Sequence, residues 1–129
     1  MSRIVLDASA LLAFIFTERG AQAVEEHPDA DATISAVNWS EVVQKVAFRG
    51  KDPEQLGEWV LALGPQVEPF DRTSADAAAA MYPGTAEFGL SPGDRACLTL
   101  AMLRKVPALT ADQTWARIPD LGVDVVLIR

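Results

Sequence analysis

The sequence predicts a single α/β domain built on a parallel sheet with helices on both of its faces. Short apolar and β-branched runs alternate along the chain with segments whose apolar residues recur at helical spacing. Gly and Pro separate most of these segments. A chain of 129 residues, half of them hydrophobic, is the size of one ordinary domain and can bury a core without disulfides. We therefore assign residues 1–129 to one domain.

The first half of the chain supplies two predicted strands and four predicted helices. The first strand is an Arg-Ile-Val-Leu run that ends at Asp7, and Ser9 is the candidate N-cap of the helix that follows. We place Glu41 in the first turn of the third helix, whose apolar residues keep a 3.6-residue period. The six predicted segments are residues 3–6, 8–16, 21–26, 32–35, a helix that follows the second strand and ends near residue 49, and residues 53–63.

The second half supplies three further strands and two helices. Thr73 and Asp76 form a candidate capping box for an alanine-rich helix, which Pro83-Gly84 is expected to end. The last helix is apolar on most sides, so we expect it to pack between other elements. The predicted segments are strand 67–70, helix 73–82, helix 92–105, strand 108–110 and strand 123–128.

Composition limits the classes of function. The net charge of −7 disfavours nonspecific binding to a nucleic-acid backbone, but carboxylates gathered around bound cations remain compatible with a nuclease. The single cysteine, Cys97, excludes an intramolecular disulfide and is predicted to be a buried thiol. No apolar run is long enough for a signal peptide or a membrane span. We expect a soluble, cytoplasmic protein without a membrane partner.

Four acids, Asp7, Glu41, Asp94 and Asp112, each fall where a predicted strand ends or a predicted helix begins. In a parallel sheet, the carboxyl ends of the strands and the N-termini of the following helices lie on one side, where ligands usually bind. Asp7 is the strongest candidate, because an acid ending an apolar strand incurs a desolvation cost unless it has a partner. The sequence therefore predicts that the four carboxylates meet at one edge of the sheet.

Such a cluster favours a hard metal ion. Carboxylates a few ångströms apart repel each other and take up protons unless a cation shares the site. Oxygen ligands without a His or Cys cluster select Mg²⁺ or Mn²⁺ over zinc, and such an ion supports hydrolysis of phosphodiester bonds by activating water. His27 is the only histidine, so a mechanism based on a pair of histidines has no residues to use.

Four segments, at residues 5–10, 40–42, 90–96 and 109–112, carry a resemblance to a known family. In their order and spacing the chain resembles the PIN-domain ribonucleases, and specifically the VapC-type toxins of bacterial and archaeal toxin–antitoxin pairs, over essentially its whole length. The resemblance implies a three-layer sandwich with a central, mostly parallel five-stranded sheet flanked by helices. It also implies an endoribonuclease that hydrolyses RNA by means of metal-activated water.

The resemblance also assigns roles to residues. It implies that Asp7, Glu41 and Asp94 bind the metal, Mg²⁺ or Mn²⁺, and that Asp112 completes the acidic cluster. Ser9 and Thr110 are expected to assist through hydroxyl contacts to metal-bound water. Ala111 stands where the family often has a basic or bulky residue. The implied partners are the RNA substrate, a second copy in a homodimer, and a VapB-type antitoxin whose C-terminal segment enters the acidic groove, with the apolar faces of the third and fourth helices as docking surfaces.

Most of these acids also have a purely structural interpretation. Glu41 with Asn38, and Asp94 with Ser91, have the spacing of capping boxes, and Asp112 has the setting of a turn aspartate. Capping and metal binding coexist if one carboxylate oxygen serves each.

The basic and aromatic residues are open to two interpretations. Arg95 is either a neutralising or phosphate-contacting group beside Asp94 or a solvent-facing helix charge. Three basic residues near one helix end either interact with the helix dipole or line an RNA path: Lys45, Arg49 and Lys51. Three tryptophans are expected first in the core or an interface, with base stacking as the alternative: Trp39, Trp59 and Trp115.

Two other functions compete with a nuclease. A receiver-like signalling domain would accept a phosphoryl group on Asp71, which follows the third strand. However, the chain lacks the adjacent acid pair and the strand-ending Lys that receivers share, and Glu41 and Asp94 would have no role. A PIN fold used only for binding is the other alternative, and the full set of acids argues against it.

Overall fold

The computed structural model describes residues 3–27 and 31–129 and shows a five-stranded sheet in the order β3-β2-β1-β4-β5. All four strand pairings are parallel, which confirms the predicted α/β class. The sheet is thus fully parallel, where a mostly parallel sheet was expected. The strands are β1 (Ile4–Leu6), β2 (Ala32–Ser35), β3 (Gln66–Glu68), β4 (Ala108–Thr110) and β5 (Val125–Leu127). The helices are α1 (Ala8–Ile15), α2 (Ala21–Glu25), α3 (Ala36–Phe48), α4 (Pro53–Ala62), α5 (Arg72–Ala80), α6 (Tyr82–Thr85) and α7 (Pro92–Arg104).

The sheet separates two apolar cores. Ile4 and Leu6 of β1 pack with α1, α3 and α4 on one face, whereas Val5 points to the other face and packs with α7. This alternation follows from the two-residue period of a strand, and it makes the domain the three-layer sandwich that was expected. Among the described residues, no helix has the length and hydropathy needed to cross a bilayer.

Helix α7 is buried on most sides, as its composition predicts. Seven of its residues are buried: Gly93, Ala96, Cys97, Leu98, Thr99, Leu100 and Ala101. The helix contacts β1, β2 and β4 as well as α3 and α5, so it lies between the sheet and other helices. The thiol of Cys97 is fully buried in this layer, as predicted.

The strand order defines a topological switch point between β1 and β4. From β1 the chain proceeds to β2 and β3 on one side, and it then returns to place β4 and β5 on the other. Ligands of open α/β sheets bind in the crevice outside the carboxyl ends of the strands at this point. The receiver alternative is wrong, because receivers have the order 2-1-3-4-5 whereas β3 here is an edge strand. Asp71, its candidate phosphoryl acceptor, is the N-cap of α5.

Two predicted N-cap residues are wrong by two positions. Asp7, not Ser9, is the N-cap of α1, and its Oδ1 accepts a hydrogen bond from the backbone N–H of Ala10 at 2.8 Å. Likewise, Asp71 rather than Thr73 caps α5. In both cases an Asp directly after a strand or loop competes successfully with the Ser or Thr that follows it, since Asp is an equal or better N-cap.

The predicted position of Glu41 within its helix is also wrong. Helix α3 begins at Ala36 and is capped by Ser35, whose Oγ accepts from the N–H of Val37 at 3.2 Å. Glu41 therefore lies in the second turn. It forms no capping box with Asn38, and the two side chains instead bond directly to each other.

The remaining differences concern element ends. Pro83 and Gly84 do not end the alanine-rich helix but lie within α6, where a Pro in the first turn is tolerated because its missing N–H has no partner there. Helix α5 ends before them, at Ala80. Strands β3 and β5 are shorter than predicted, at three residues each. Pro28, next to the predicted end of α2, lies outside the described residues.

Candidate functional site

An open pocket of about 260 Å³ lies at the switch point, outside the carboxyl ends of β1 and β4. All four acids singled out from the sequence line it. Its complete lining is Asp7, Ala8, Ser9, Leu12, Asn38, Glu41, Lys45, Asp94 and Asp112. Asp7 directly after β1, residues of α1, α3 and α7, and Asp112 after β4 thus form one surface, although they come from distant parts of the sequence.

Asp7 occupies the floor of this pocket. Its side chain is only 6% exposed, because the residue follows directly on the buried strand β1. Oδ1 accepts hydrogen bonds from Ser9 Oγ at 2.7 Å and from the backbone N–H of Ala10, and Oδ2 accepts from Thr110 Oγ1 at 2.6 Å. These three donors hold the carboxylate in a single orientation.

Ser9 and Thr110 connect Asp7 to the loop after β4. Ser9 Oγ accepts from the backbone N–H of Ala111 at 2.9 Å, and Thr110 Oγ1 accepts from that of Asp112 at 3.0 Å. Because each hydroxyl proton is directed to Asp7, both side chains support this carboxylate rather than point freely into the pocket. Their contact with metal-bound water stays a prediction.

The electrostatics of the pocket favour a cation. Burial raises the pKa of Asp7 to about 6, and the opposing hydrogen bonds from Thr110, Ser9 and Ala10 do not offset this effect. The negative charge of Asp94 makes a smaller contribution to this raised pKa of Asp7. Burial also raises the pKa of the Cys97 thiol well above its usual value, with smaller contributions from three pocket acids. The acids therefore act on one another across a partly dehydrated site.

Asp94 combines a structural bond with a place in the pocket. Its Oδ2 accepts from the backbone N–H of Ser91 at 2.9 Å, and its own N–H donates to Ser91 Oγ at 3.1 Å, so the predicted capping box is confirmed. Oδ1 of Asp94 has no hydrogen bond from any described residue. One carboxylate oxygen therefore serves the helix while the other is available to a ligand.

Asp112 also combines a structural hydrogen bond with a place in the pocket. It is the turn aspartate that the sequence suggested, because its Oδ1 accepts from the N–H of Thr114 at 2.9 Å and caps a 3₁₀ helix (Gln113–Arg117). The residue is exposed and lines the pocket. Its capping bond fixes the carboxylate at the pocket rim.

The residues of the pocket fit a hard divalent cation by their chemistry. Every acidic ligand is a carboxylate, and the buried, unneutralised Asp7 would be stabilised in its charged form by a cation. Within the described part of the chain, no group of three or more His, Cys, Asp or Glu side chains has the spacing of a metal site as it stands. An open wall of carboxylates suits Mg²⁺ or Mn²⁺, which usually keep several water ligands.

The structure separates the basic residues. Arg95 is not among the pocket-lining residues, and its guanidinium donates to the backbone oxygen of Leu90 at 2.9 Å and lies 5.1 Å from the ring centroid of Tyr82. Lys45 lines the pocket. Arg49 instead pairs with Glu18 at 3.1 Å. These contacts favour the interpretation of Arg95 as a charge outside the pocket, and its contact with the acids or with a phosphate stays a prediction.

Two pocket residues were undervalued in the sequence. Sequence spacing indicates only a cap for Asn38, and it indicates a helix-end charge or an RNA contact for Lys45. Both lie on the same face of α3 as Glu41, at positions i−3 and i+4 from it, which is the signal that would have found them. His27 lines a separate apolar cavity beneath α1, among residues such as Leu11 and Val60.

The tryptophans occupy packing positions, as expected. Trp115 is buried in the core next to α7, and Trp39 packs against the core on the other face of the sheet. Trp59 is 48% exposed and stacks on Phe14 with a centroid separation of 6.2 Å. The pocket lining includes none of the three.

Removing the Thr110 hydroxyl should weaken the fold and the pocket together. The nearly isosteric Thr110→Val change deletes the donor to Asp7 and the acceptor for the N–H of Asp112. We expect a loss of about 1 to 3 kcal/mol in the free energy of unfolding at pH 8, because a buried charge and a backbone N–H each lose a partner. Chemical denaturation checks this. Thr114→Val, beyond the pocket, is the control, and equal stability of the two variants would contradict the bonding scheme.

Comparison with known proteins gives a family and a fold. A family model described as PIN domain matches residues 4–121. A chain of a toxin–antitoxin complex from Klebsiella pneumoniae is 24% identical, with a TM-score of 0.76 and 98% of each chain covered. A DNA-bound VapBC from Salmonella typhimurium contains a chain 17% identical, with a TM-score of 0.77 and full coverage of both. No curated protein sequence matches the chain.

A third similar structure is VapC20 from Mycobacterium tuberculosis, described as a toxin that cleaves the sarcin-ricin loop. It is 14% identical to this chain, with a TM-score of 0.74, covering 94% of this chain and 98% of that one. At these identities the solved structures establish a shared fold.

Proposed function

The chain belongs to the PIN-domain family, and from this premise we propose that it is a Mg²⁺- or Mn²⁺-dependent endoribonuclease, the toxin of a VapBC-type pair. The observation that carries the proposal is the placement of Asp7, Glu41, Asp94 and Asp112 around one open pocket at the switch point of the sheet. The likeness to solved toxin–antitoxin complexes and to an RNA-cleaving toxin supports it.

In this proposal Asp7, Glu41 and Asp94 hold the metal, and Asp112 completes the negative wall. The bound ion supplies Lewis acidity, which polarises phosphoryl oxygens and lowers the pKa of an attacking water. The hydroxyls of Ser9 and Thr110 keep Asp7 oriented and favour its charged form. The exposed ammonium of Lys45 at the pocket rim attracts the RNA phosphates that the acids alone would repel.

The proposal includes protein partners. The similar chains from Klebsiella pneumoniae and Salmonella typhimurium were solved as a toxin–antitoxin complex and as VapBC on DNA. By this analogy we expect a VapB-type antitoxin whose C-terminal segment enters the acidic pocket, a homodimer of the present chain, and a cytoplasmic setting. The apolar faces of α3 and α4 that were predicted to dock a partner are largely buried, because Val42, Val46 and Val60 belong to the core. Exposed apolar side chains elsewhere on these two helices, including Phe48 at 88% exposure, suit such a partner instead.

Metal removal is the direct test of the enzymatic part. The purified chain, free of any antitoxin, is incubated with total cellular RNA, which offers ribosomal and transfer RNA, in Mg²⁺ or Mn²⁺ and in excess EDTA. We expect discrete cleavage products with either ion, none in EDTA, and recovery when Mn²⁺ is restored. Cleavage that continues in EDTA would contradict the metal-dependent mechanism. A protein that binds Mn²⁺ and RNA but cleaves nothing would support the binding-only alternative.

A further inference from the structure

Asn38 connects two helices at the wall of the pocket. Its side chain is 1% exposed, and its Nδ2 donates both to Glu41 Oε1 at 2.8 Å and to the backbone oxygen of Gly93 at 2.9 Å. Both partners are acceptors, which fixes the orientation of the amide. Asn38 Oδ1 is buried and has no hydrogen-bond partner among the described residues. A buried amide with an unsatisfied oxygen destabilises a fold, so an apolar residue would serve this position better if only packing mattered.

Gly93 allows the Glu41 carboxylate to approach helix α7. A Cβ added at position 93 would lie 2.7 Å from Glu41 Oε1 and 2.9 Å from Glu41 Oε2, closer than real Cβ atoms come to their neighbours. The carboxylate thus rests on the first turn of α7, immediately beside the backbone of Asp94. Any larger residue at this position would push it away.

We propose that Asn38 and Gly93 are positioning residues, which together hold the Glu41 carboxylate against the first turn of α7 so that it shares a divalent cation with Asp94. We name Asn38, Glu41 and Gly93 together the α3–α7 contact. The inference rests on the proposed function for the role of the metal, but the contact itself does not.

The α3–α7 contact explains why two acids from different helices act as one wall. Glu41 has a long side chain that is only partly buried, and such a side chain has several rotamers available unless its neighbours restrict it. The Asn38 amide donates to the Glu41 carboxylate and to the Gly93 backbone oxygen, and so restricts the Glu41 side chain from one side. On the other side, Gly93 has no Cβ and leaves room for the carboxylate. Residues that orient metal ligands in this way typically change metal affinity by 10- to 100-fold when they are replaced.

The test combines metal affinity with a double-mutant cycle. Mn²⁺ binding is measured by titration calorimetry for the wild type, Gly93→Ala and Asn38→Leu, at a temperature where each is folded. Gly84→Ala is the matched control, because this helical glycine in α6 has open space around it. We expect both contact variants to bind Mn²⁺ at least tenfold more weakly and Gly84→Ala to stay within twofold of the wild type.

The double-mutant cycle measures the contact without metal. In EDTA, the change in Tm caused by Gly93→Ala is compared between the wild type and Glu41→Ala. Without the Glu41 side chain the added Cβ meets no carboxylate, so the shift should be more positive in that background by roughly 3 °C or more. Equal shifts in the two backgrounds, or unchanged Mn²⁺ affinity of Gly93→Ala, would overturn the proposal.

The two measurements separate this proposal from the proposed function. A wild-type protein that binds no Mn²⁺ but shows the expected coupling in Tm would overturn the metal-dependent function, and with it the metal role of the α3–α7 contact, while the packing contact would be established. A wild-type protein that binds Mn²⁺ but shows no coupling would leave the proposed function intact and overturn the role of Gly93.

Discussion

Asp94→Asn should lower the rate of RNA cleavage by about 100-fold or more at a fixed Mg²⁺ concentration. The change removes one negative charge and a metal ligand from the pocket wall, and loss of metal-based charge stabilisation in the transition state is worth several kcal/mol. The fold should survive, because the Asn side-chain oxygen can still accept the capping bond from the N–H of Ser91. Single-turnover cleavage of a defined RNA product measures the rate.

Asp52→Asn is the matched control for this substitution. Asp52 is also an Asp N-cap, at the start of α4, and it accepts from the backbone N–H groups of Glu54 and Gln55. It does not line the pocket. A cleavage rate for Asp94→Asn within a fewfold of that for Asp52→Asn, with both variants folded, would mean that Asp94 does not bind the metal.

Asp7→Asn should stabilise the metal-free protein at neutral pH while it abolishes activity. Burial raises the pKa of Asp7 from an ordinary 3.8 to about 6 in the folded state. Above pH 6 the folded chain therefore holds a charge that is better solvated in the unfolded chain. The neutral Asn avoids this cost, so we expect a gain of about 1 to 3 kcal/mol in the free energy of unfolding at pH 8 in EDTA.

The stability gained by Asp7→Asn should depend on pH. Between pH 4 and pH 6 the folded wild type binds a proton at Asp7 that the unfolded chain has released, so its stability falls as the pH rises through this range. The advantage of Asp7→Asn should therefore be small at pH 4, grow toward pH 6 and remain constant above it. Urea denaturation at several pH values measures it. An advantage independent of pH would show that the pKa of Asp7 is not raised.

Added Mn²⁺ should reverse this order of stability. A cation that neutralises Asp7 stabilises the wild type by preferential binding to the folded state, whereas Asp7→Asn has lost the charged ligand. The same denaturation experiment in Mn²⁺ is thus an internal control. If Mn²⁺ reverses the order, the charge of Asp7 is stabilised by a bound cation. If the order stays the same, Asp7 is a buried acid that does not bind the ion.

The fold class was predictable from local signals. Apolar runs such as the one that ends at Asp7, and the helical period around Val42 and Val46, define the order of strands and helices without any long-range information. The parallel sheet then requires that carboxyl ends share an edge, which is why the four acids were expected to meet. The capping box of Ser91 and Asp94 also followed from residues three positions apart.

The features of the site that could not be predicted from the sequence depend on contacts between distant segments. The bond from Asn38 to Gly93 joins residues 55 positions apart, and the bond from Thr110 to Asp7 joins residues 103 apart, so neither leaves a periodic signal. The contacts of the Arg95 guanidinium could not be predicted either, because the Tyr82 ring that it packs on belongs to another helix. The strand order that excludes a receiver is likewise a property of the whole sheet.

In the proposed function, Asp7, Glu41 and Asp94 together bind one divalent cation at the carboxyl edge of the sheet. A crystal of this chain soaked in Mn²⁺ and measured at the manganese absorption edge tests it most directly. We expect an anomalous peak in the pocket within coordination distance of carboxylate oxygens from these three residues. A map without a peak there at saturating Mn²⁺, or with the only peak elsewhere on the molecule, would contradict it.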